Sequence, residues 1–284
     1  MTQNNTIEQA ADRFIDESRP GGGHDRTQRC ADYWRWSGRR SVVHAIRQAG
    51  QQQTTITLIK DEEINANRCA IPYGINPAKP LEKYCIPNTL VTNAGAQLVI
   101  DTVERIEPVQ KRVFTRQSGE YTYDQLVLAT GARPLVPSIP GIDADGIIPV
   151  RSRDDMARIR EASQQHRRVV VVGGGYIGVE VAVVLRQLGL DVTIVEMLPH
   201  VVAMTVDPEL ITDVEQDLTS NGIVLATSAR VVEFQQQQGH VCGVVLDDKR
   251  ELPADFVVLA VGVIPNTDLA QASGLQVSRF GIIT

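Results

Sequence analysis

The stretch Arg168-Val-Val-Val-Val-Gly-Gly-Gly-Tyr-Ile-Gly178 constrains this chain more than any other, because a helix, a second strand and an acid continue it in register. Val169 to Val172 are β-branched, as suits a strand buried on both faces of a parallel sheet. Gly173, Gly175 and Gly178 then give a G-x-G-x-x-G spacing. The first glycine permits a tight turn, the second lets backbone approach a pyrophosphate, and the third lets helix pack on strand. Ile177, Val181, Val184, Leu185 and Leu188 recur at helical spacing, and Gly189 stands where a helix C-terminus favours positive φ. A second strand, Val192-Thr-Ile-Val, leads to Glu196, where a carboxylate can receive a ribose 2′-hydroxyl. A lone glycine motif often marks nothing more than a close helix turn. Strand, glycines, helix, strand and terminal acid in order predict a dinucleotide site. Glu196 favours NAD over NADP, since a carboxylate repels a 2′-phosphate.

The whole chain is compatible with such a domain and excludes several others. Its 284 residues suffice for one large domain or two ordinary ones, and 43% hydrophobic residues allow a sizeable core. A net charge of −6 gives no electrostatic support for nucleic-acid or anionic-membrane binding. Cys30, Cys69, Cys85 and Cys242 are scattered without metal-ligand spacing, so no metal site is expected. With no signal peptide and no apolar run of membrane length, the expected location is the cytoplasm, where a single cysteine is by default a buried, inert thiol.

Taken in order, residues 1 to 41 are irregular: Pro20-Gly-Gly-Gly23 and the arginine-rich Arg26 to Arg40 match no element, and Tyr33, Trp34 and Trp36 are stranded among charges. Val42 to Ile46 begins a helical pattern ending near Gly50, and Thr54 to Ile59 alternates as a strand. This is the second half of a βαβ unit whose first strand and glycine turn are missing. Asn93 to Glu107 is strand material, Gln110 to Thr122 a hairpin turning at Ser118-Gly119, and Asp124 to Thr130 a buried strand that breaks at Gly131. Arg151 to Ala162 is a polar helix, Pro208 to Ser220 a further helix, and Ile223 to Val232 and Val241 to Leu246 strands, with a polar tip at Gln235–Gln238. Ala254 to Asn266 is another strand that ends in a turn.

Four segments together resemble the flavin-dependent pyridine nucleotide–disulfide oxidoreductases: Leu126-Val-Leu-Ala-Thr-Gly-Ala-Arg-Pro134, Val170 to Glu180, Val192 to Glu196, and Leu259-Ala-Val-Gly-Val-Ile-Pro-Asn266. Arg68-Cys-Ala-Ile-Pro-Tyr73 is similar to the single-cysteine branch, which holds NADH oxidases, NADH peroxidases and coenzyme A-disulfide reductases. The resemblance implies an α/β fold of two Rossmann-like dinucleotide-binding domains, the NAD domain inserted in the FAD domain. Residues 42–145 would form the first part of the FAD domain, 146–265 the NAD domain, and 266–284 the start of a truncated second FAD part. The family's C-terminal interface domain, and with it the homodimer interface, is expected to be missing here.

The same resemblance implies FAD and NAD as cofactors and assigns roles. Cys69 would be the redox cysteine beside the flavin, its thiolate stabilised by Arg68. Tyr176 would lid the nicotinamide pocket, and Glu180 would help position nicotinamide. Thr130 and Gly131 would approach FAD, Val103 its adenine, and Gly262 the NAD. Gly173, Gly175, Ile177, Gly178 and Glu196 would line the dinucleotide. The expected reaction is NADH-dependent flavin reduction that passes electrons to Cys69 or directly to a small substrate, namely oxygen, peroxide or a low-molecular-weight disulfide. The alternatives are a carrier-protein reductase of rubredoxin or nitrite-reductase type, and a non-catalytic NAD-binding remnant.

Three departures qualify the resemblance. Asn65 stands where a serine is usual, and no histidine is a candidate for the family's N-terminal one. The first glycine fingerprint is also absent as written, but permitted codons for these residues can be chosen that restore its pattern. Read one nucleotide later, every tryptophan codon becomes a glycine codon, so Trp34 and Trp36 give G-x-G. An Arg39 codon ending in G supplies the third glycine of G-x-G-x-x-G. The expectation is a compensated change of reading frame over about residues 20 to 41.

Overall fold

The computed structural model describes residues 38–283, and the readings placed on residues 1–37 lie outside them. Five parallel strands form the main sheet, in the spatial order Val224–Ala226, Asp191–Val195, Arg168–Val172, Phe256–Leu259 and Ile147–Pro149. The strands are short, β-branched and apolar, and the two central ones are buried along nearly their whole length. Such runs suit a sheet covered on both faces.

Alternate side chains supply the two covers. Val169, Val171, Ile194, Phe256 and Val258 point into one core, which includes Met156 and Ile159 of the helix Arg153–Gln165 and Val181 and Leu185 of the helix Tyr176–Gln187. Val170, Val172, Val195, Val257 and Leu259 point the other way, onto the antiparallel strands Val231–Gln237 and His240–Leu246 through Phe234, Val244 and Leu246. The glutamine tract continues the first of these strands, and the turn itself falls at Gln238-Gly239, both at positive φ. Ser152 caps the helix Arg153–Gln165 in a reciprocal capping box with Asp155.

Outside this sheet the chain is thinner. Thr57–Lys60 pairs in parallel with Gln97–Ile100, backed by the helix Gly38–Gln48 and a small core of Val43, Leu58, Val91 and Ala96. Val103–Glu107, Arg112–Thr115 and Glu120–Thr122 make an antiparallel meander. Ala132–Pro134 and Val263–Pro265 run side by side as an antiparallel pair, so the chain enters and leaves the main sheet through adjacent linkers.

One sequence expectation fails here. Asp124 to Thr130 is neither a strand nor buried: Leu126 is 38% and Val127 58% exposed. A buried strand needs a hydrogen-bonded neighbour, and among the described residues a cleft, not a ladder, separates this segment from Thr57–Lys60. The apolar run therefore carries a strand-like composition without strand geometry.

Asp255 ties the N-terminal end of the central strand in place. It accepts hydrogen bonds from the main-chain amides of Arg167 (3.1 Å) and Arg168 (2.8 Å) and from the Arg168 guanidinium (Nε 3.0 Å, Nη2 2.5 Å). Burial pushes its carboxyl up, but these donors outweigh it and bring the value down to about 2. A depressed acid contributes stability above its unfolded value of about 4 and loses it as pH falls towards 2. Asp255→Asn is expected to cost about 1–2 kcal/mol at pH 7 in urea denaturation, because a charged acceptor is replaced by a neutral one. The gap between variant and wild type should close as the pH is lowered from about 4 to 2.

Candidate active site

The glycine turn has the geometry the spacing predicts. Gly173 has φ +104°, and a Cβ there would lie 2.5 Å from the Ala260 carbonyl oxygen of the neighbouring strand's end. A Cβ on Gly178 would run into the Gly173 carbonyl, so the helix can start this close to the strand only without a side chain. Gly175, by contrast, has open space where a side chain would be and precedes the helix N-terminus, where amide groups and the helix dipole favour an anion.

Glu196 lies just past the second strand and is 9% exposed. One carboxylate oxygen accepts from the Gly174 amide (2.6 Å) and the other from the Leu198 amide (2.8 Å). Each oxygen keeps lone-pair capacity for a further donor such as a ribose hydroxyl. The loop after Glu196 closes over the turn: Val202 donates its amide to the Gly174 carbonyl at 2.7 Å. Tyr176, 55% exposed, donates its hydroxyl to the Thr205 carbonyl at 3.1 Å, so in this structure it is tied to that loop. Ile177 is exposed beside it.

Cys69 is exposed, on a 3₁₀ turn, Arg68–Ala70, that runs directly into the short helix Ile71–Gly74. Pro72 is the second residue of that helix, in the first turn, where its missing N–H leaves no bond unmade. Ile71 and Ile75 are fully buried in the same core as Met156, Ile159, Val181 and Leu185, so the cysteine segment is packed onto the main sheet's helices. Arg160 fastens it further. Its guanidinium donates to the carbonyls of Gly74 (3.0 and 2.5 Å), Asn76 (2.9 Å) and Lys79 (3.0 Å). Four bonds from a planar fork over the end of the helix fix both its position and its direction.

Arg68 behaves differently from the sequence expectation. Its guanidinium is turned to Glu62, with bonds of 2.8 and 2.9 Å, and to the Arg151 carbonyl. A charge-assisted pair in which one guanidinium nitrogen reaches both carboxylate oxygens outcompetes a contact with a neighbouring thiol. Glu62 also accepts from Asn65 (2.7 Å), and Asn65 accepts from the buried Lys60 (2.5 Å), so a chain of polar groups supports the cysteine turn from below.

Glu180 lies one turn beyond Tyr176 on the same helix, and its carboxylate meets the Tyr73 hydroxyl at 3.4 Å. Burial raises the Glu180 carboxyl, with the Tyr73 hydrogen bond opposing. Tyr73, four residues after Cys69 in a motif that gives it no role, thus brings the cysteine segment onto Glu180, 111 positions from Cys69 in sequence. Arg160 has no sequence signal, because its partners are more than 80 residues away.

A cleft of about 1290 Å³ opens between Thr57–Asp61, Asp101–Val103 and Gln125–Thr130. That exceeds a typical small-molecule pocket and gives room for a flavin dinucleotide, with Thr102, Val103, Thr130 and Asn266 on its walls. Thr130 and Asn266 hold the mouth together: the Thr130 hydroxyl donates to the Asn266 carbonyl (2.5 Å), and the Asn266 side chain donates back to the Thr130 carbonyl (3.0 Å). The Gly131 carbonyl accepts the Asn266 amide at 2.9 Å, and Gly262 lies on the adjoining linker, accepting from Leu135 at 3.0 Å. Asp101 faces the same cleft, but three main-chain amides (Thr102, Gln117, Ser118) occupy its carboxylate. Burial pushes that carboxyl up, and these bonds pull it well below the ordinary range.

Residues 42–284 match the pyridine nucleotide-disulphide oxidoreductase family. The chain belongs to that family. It is 32% identical over 255 residues to an NADH oxidase of Methanocaldococcus jannaschii, a match covering 85% of this chain and 56% of the relative. Among solved structures it resembles the ferredoxin reductase for the CYP199A2 system from Rhodopseudomonas palustris (TM-score 0.80, 32% identity, 86% of this chain and 60% of that one). It also resembles an NAD-dependent persulfide reductase from A. fulgidus (TM-score 0.78, 29% identity, 85% and 47%). The chain therefore spans about half the length of these oxidoreductases.

The family's turn depends on the contact between Gly178 and Gly173. In Gly178→Ala the added methyl group meets backbone, which cannot yield as a side chain would. Overpacking of this kind costs about 1–3 kcal/mol. Gly178→Ala is expected to lose NAD(H) binding by calorimetry while keeping most of its far-ultraviolet circular dichroism, whereas Gly189→Ala, remote from the turn, should retain binding.

Proposed function

We propose that this chain is the dinucleotide-handling part of an NADH-dependent FAD oxidoreductase whose electrons reach Cys69 or a small oxidant. The observation that carries the reading is one arrangement: the glycine turn, Glu180 and the Cys69 segment meet at one junction, and the same chain holds a cleft, walled by Thr57–Asp61, Val103 and Thr130, roomy enough for a second dinucleotide. FAD, when bound, would supply the acceptor for hydride from NADH.

The chain's own groups do the rest. The amides at the start of the helix Tyr176–Gln187 and the open face at Gly175 would receive the pyrophosphate of NAD, and Glu196 a ribose hydroxyl. Tyr176, released from Thr205, would cover the nicotinamide, and Glu180 would orient its carboxamide. Val103, Thr130 and Gly131 would border the flavin, and Gly262 the NAD. The exposed Cys69 is open to a peroxide, a disulfide or a persulfide, and these are the acceptors that a thiol beside the nicotinamide pocket favours. The persulfide reductase among the structures the chain resembles fits that class.

A second reading has support of its own. The likeness to a ferredoxin reductase favours a protein electron carrier as partner. A one-electron protein carrier needs no thiol at this junction, so Cys69 separates the two.

An absorption spectrum decides first. Purified protein reconstituted with FAD should show flavin bands that bleach on anaerobic addition of NADH. Cys69→Ser should keep that bleaching and lose more than ten-fold of the turnover with disulfide or peroxide. Unchanged turnover in Cys69→Ser favours the carrier or direct oxygen reduction. A colourless protein that binds NADH and gains no flavin overturns catalysis by this chain and leaves an NAD-binding remnant.

A further inference from the structure

The hydrogen bond between Tyr73 of the Cys69 segment and Glu180 has a use that neither residue supplies alone. Tyr73 stands four residues after Cys69, and the 3₁₀ turn Arg68–Ala70 continues into Ile71–Gly74, so both side chains occupy one face, a turn apart. Its hydroxyl reaches Glu180 of the glycine-turn helix at 3.4 Å, across 107 positions of sequence. Among the described residues, Tyr73 is the hydrogen-bond partner of that carboxylate. Both ends of the bridge are held by packing: the helix below Tyr73 by buried Ile71 and Ile75 and the Arg160 bonds, the helix below Glu180 by buried Val181 and Leu185. The phenol itself is 41% exposed and has room to turn.

The geometry points to Tyr73 as a positioning residue that transmits occupancy of the nicotinamide pocket to Cys69. Without nucleotide, the hydroxyl is engaged by Glu180. When Glu180 turns to a bound nicotinamide carboxamide, the hydroxyl is freed and donates to the Cys69 sulfur one turn below it. A hydrogen bond to the sulfur favours the thiolate, the form that reacts. Burial first, then the negative charges of Glu180 and Cys69, keep the phenol above its ordinary value, so it remains a donor through neutral pH. No bond is broken in this exchange and no electron moves. It sets the reactivity of the thiol before chemistry begins. The inference rests on the functional reading above in one respect, that the glycine turn binds NAD.

By linkage, a nucleotide that changes the thiol must do so through a differential contact, and typical couplings are about 5–150-fold. The test uses NAD⁺, which delivers no electrons, and iodoacetamide, with alkylation of the Cys69 peptide followed by mass spectrometry to separate it from Cys30, Cys85 and Cys242. In the wild-type chain, saturating NAD⁺ is expected to raise the Cys69 alkylation rate at pH 7 by about 5-fold or more. In Tyr73→Phe, at NAD⁺ concentrations saturating that variant, the ratio with and without nucleotide should fall below about 2-fold. Phenylalanine keeps the ring and its packing, and an unchanged melting temperature would show that the lost response is not a lost fold. A Tyr73→Phe chain that responds like wild type overturns the proposal, as does a wild-type chain that binds NAD⁺ by calorimetry without any change at Cys69. A chain that takes up no NAD⁺ at all overturns the functional reading as well, and calorimetry tells the two failures apart.

Discussion

The candidate site depends on a short helix being packed where its sequence neighbours are not. Ile71 and Ile75 of the Cys69 segment are fully buried among Met156, Ile159, Val181 and Leu185, which belong to helices lying on the main sheet. Burying each isoleucine is worth about 1.5–3 kcal/mol, more than a four-residue helix can contribute by its own hydrogen bonds. The small core around Val43, Leu58, Val91 and Ala96 is separate. The cysteine turn is therefore part of the larger core, and its distance from the glycine turn is set by close packing, not by the linkers.

Polar groups complete what packing begins, and their burial decides how they act. Arg160 caps the end of the Cys69 helix with four bonds, and Glu62 holds Arg68 in two more. Both arginines are thereby committed to holding backbone and carboxylate in place. The groups left facing the junction are Cys69, Tyr73 and Glu180. Glu180 is raised by burial, and Tyr73 is raised by burial and by nearby negative charge. A site of this kind favours groups that exchange hydrogen bonds over groups that carry fixed charge.

The range of each interaction decides how far the sequence makes it legible. The strand–turn–helix–strand unit from Arg168 to Glu196 is readable because its determinants are local: period, glycine spacing and a terminal acid. Its outcome is buried valines, a Gly173 at φ +104° and a carboxylate bonded to the turn. The run Leu126 to Ala129 misleads, because apolar composition does not decide whether a strand among the described residues pairs with it. Arg68 misleads for a related reason: adjacency in sequence to Cys69 does not choose between a thiol and a carboxylate brought in by the fold.

Local sequence is enough to specify the dinucleotide-binding unit and the family to which the chain belongs, since residues a few positions apart suffice for a glycine turn and a Rossmann strand. It takes the completed fold to bring the Cys69 segment and Glu180 to a common junction, to set Tyr73 against Glu180, to tie Tyr176 to Thr205 and to lay Arg160 over the cysteine helix. Each of those facts joins positions that only packing brings together. Tyr73 and Glu180 are 107 residues apart, and nothing short of a finished core fixes the 3.4 Å between their oxygens.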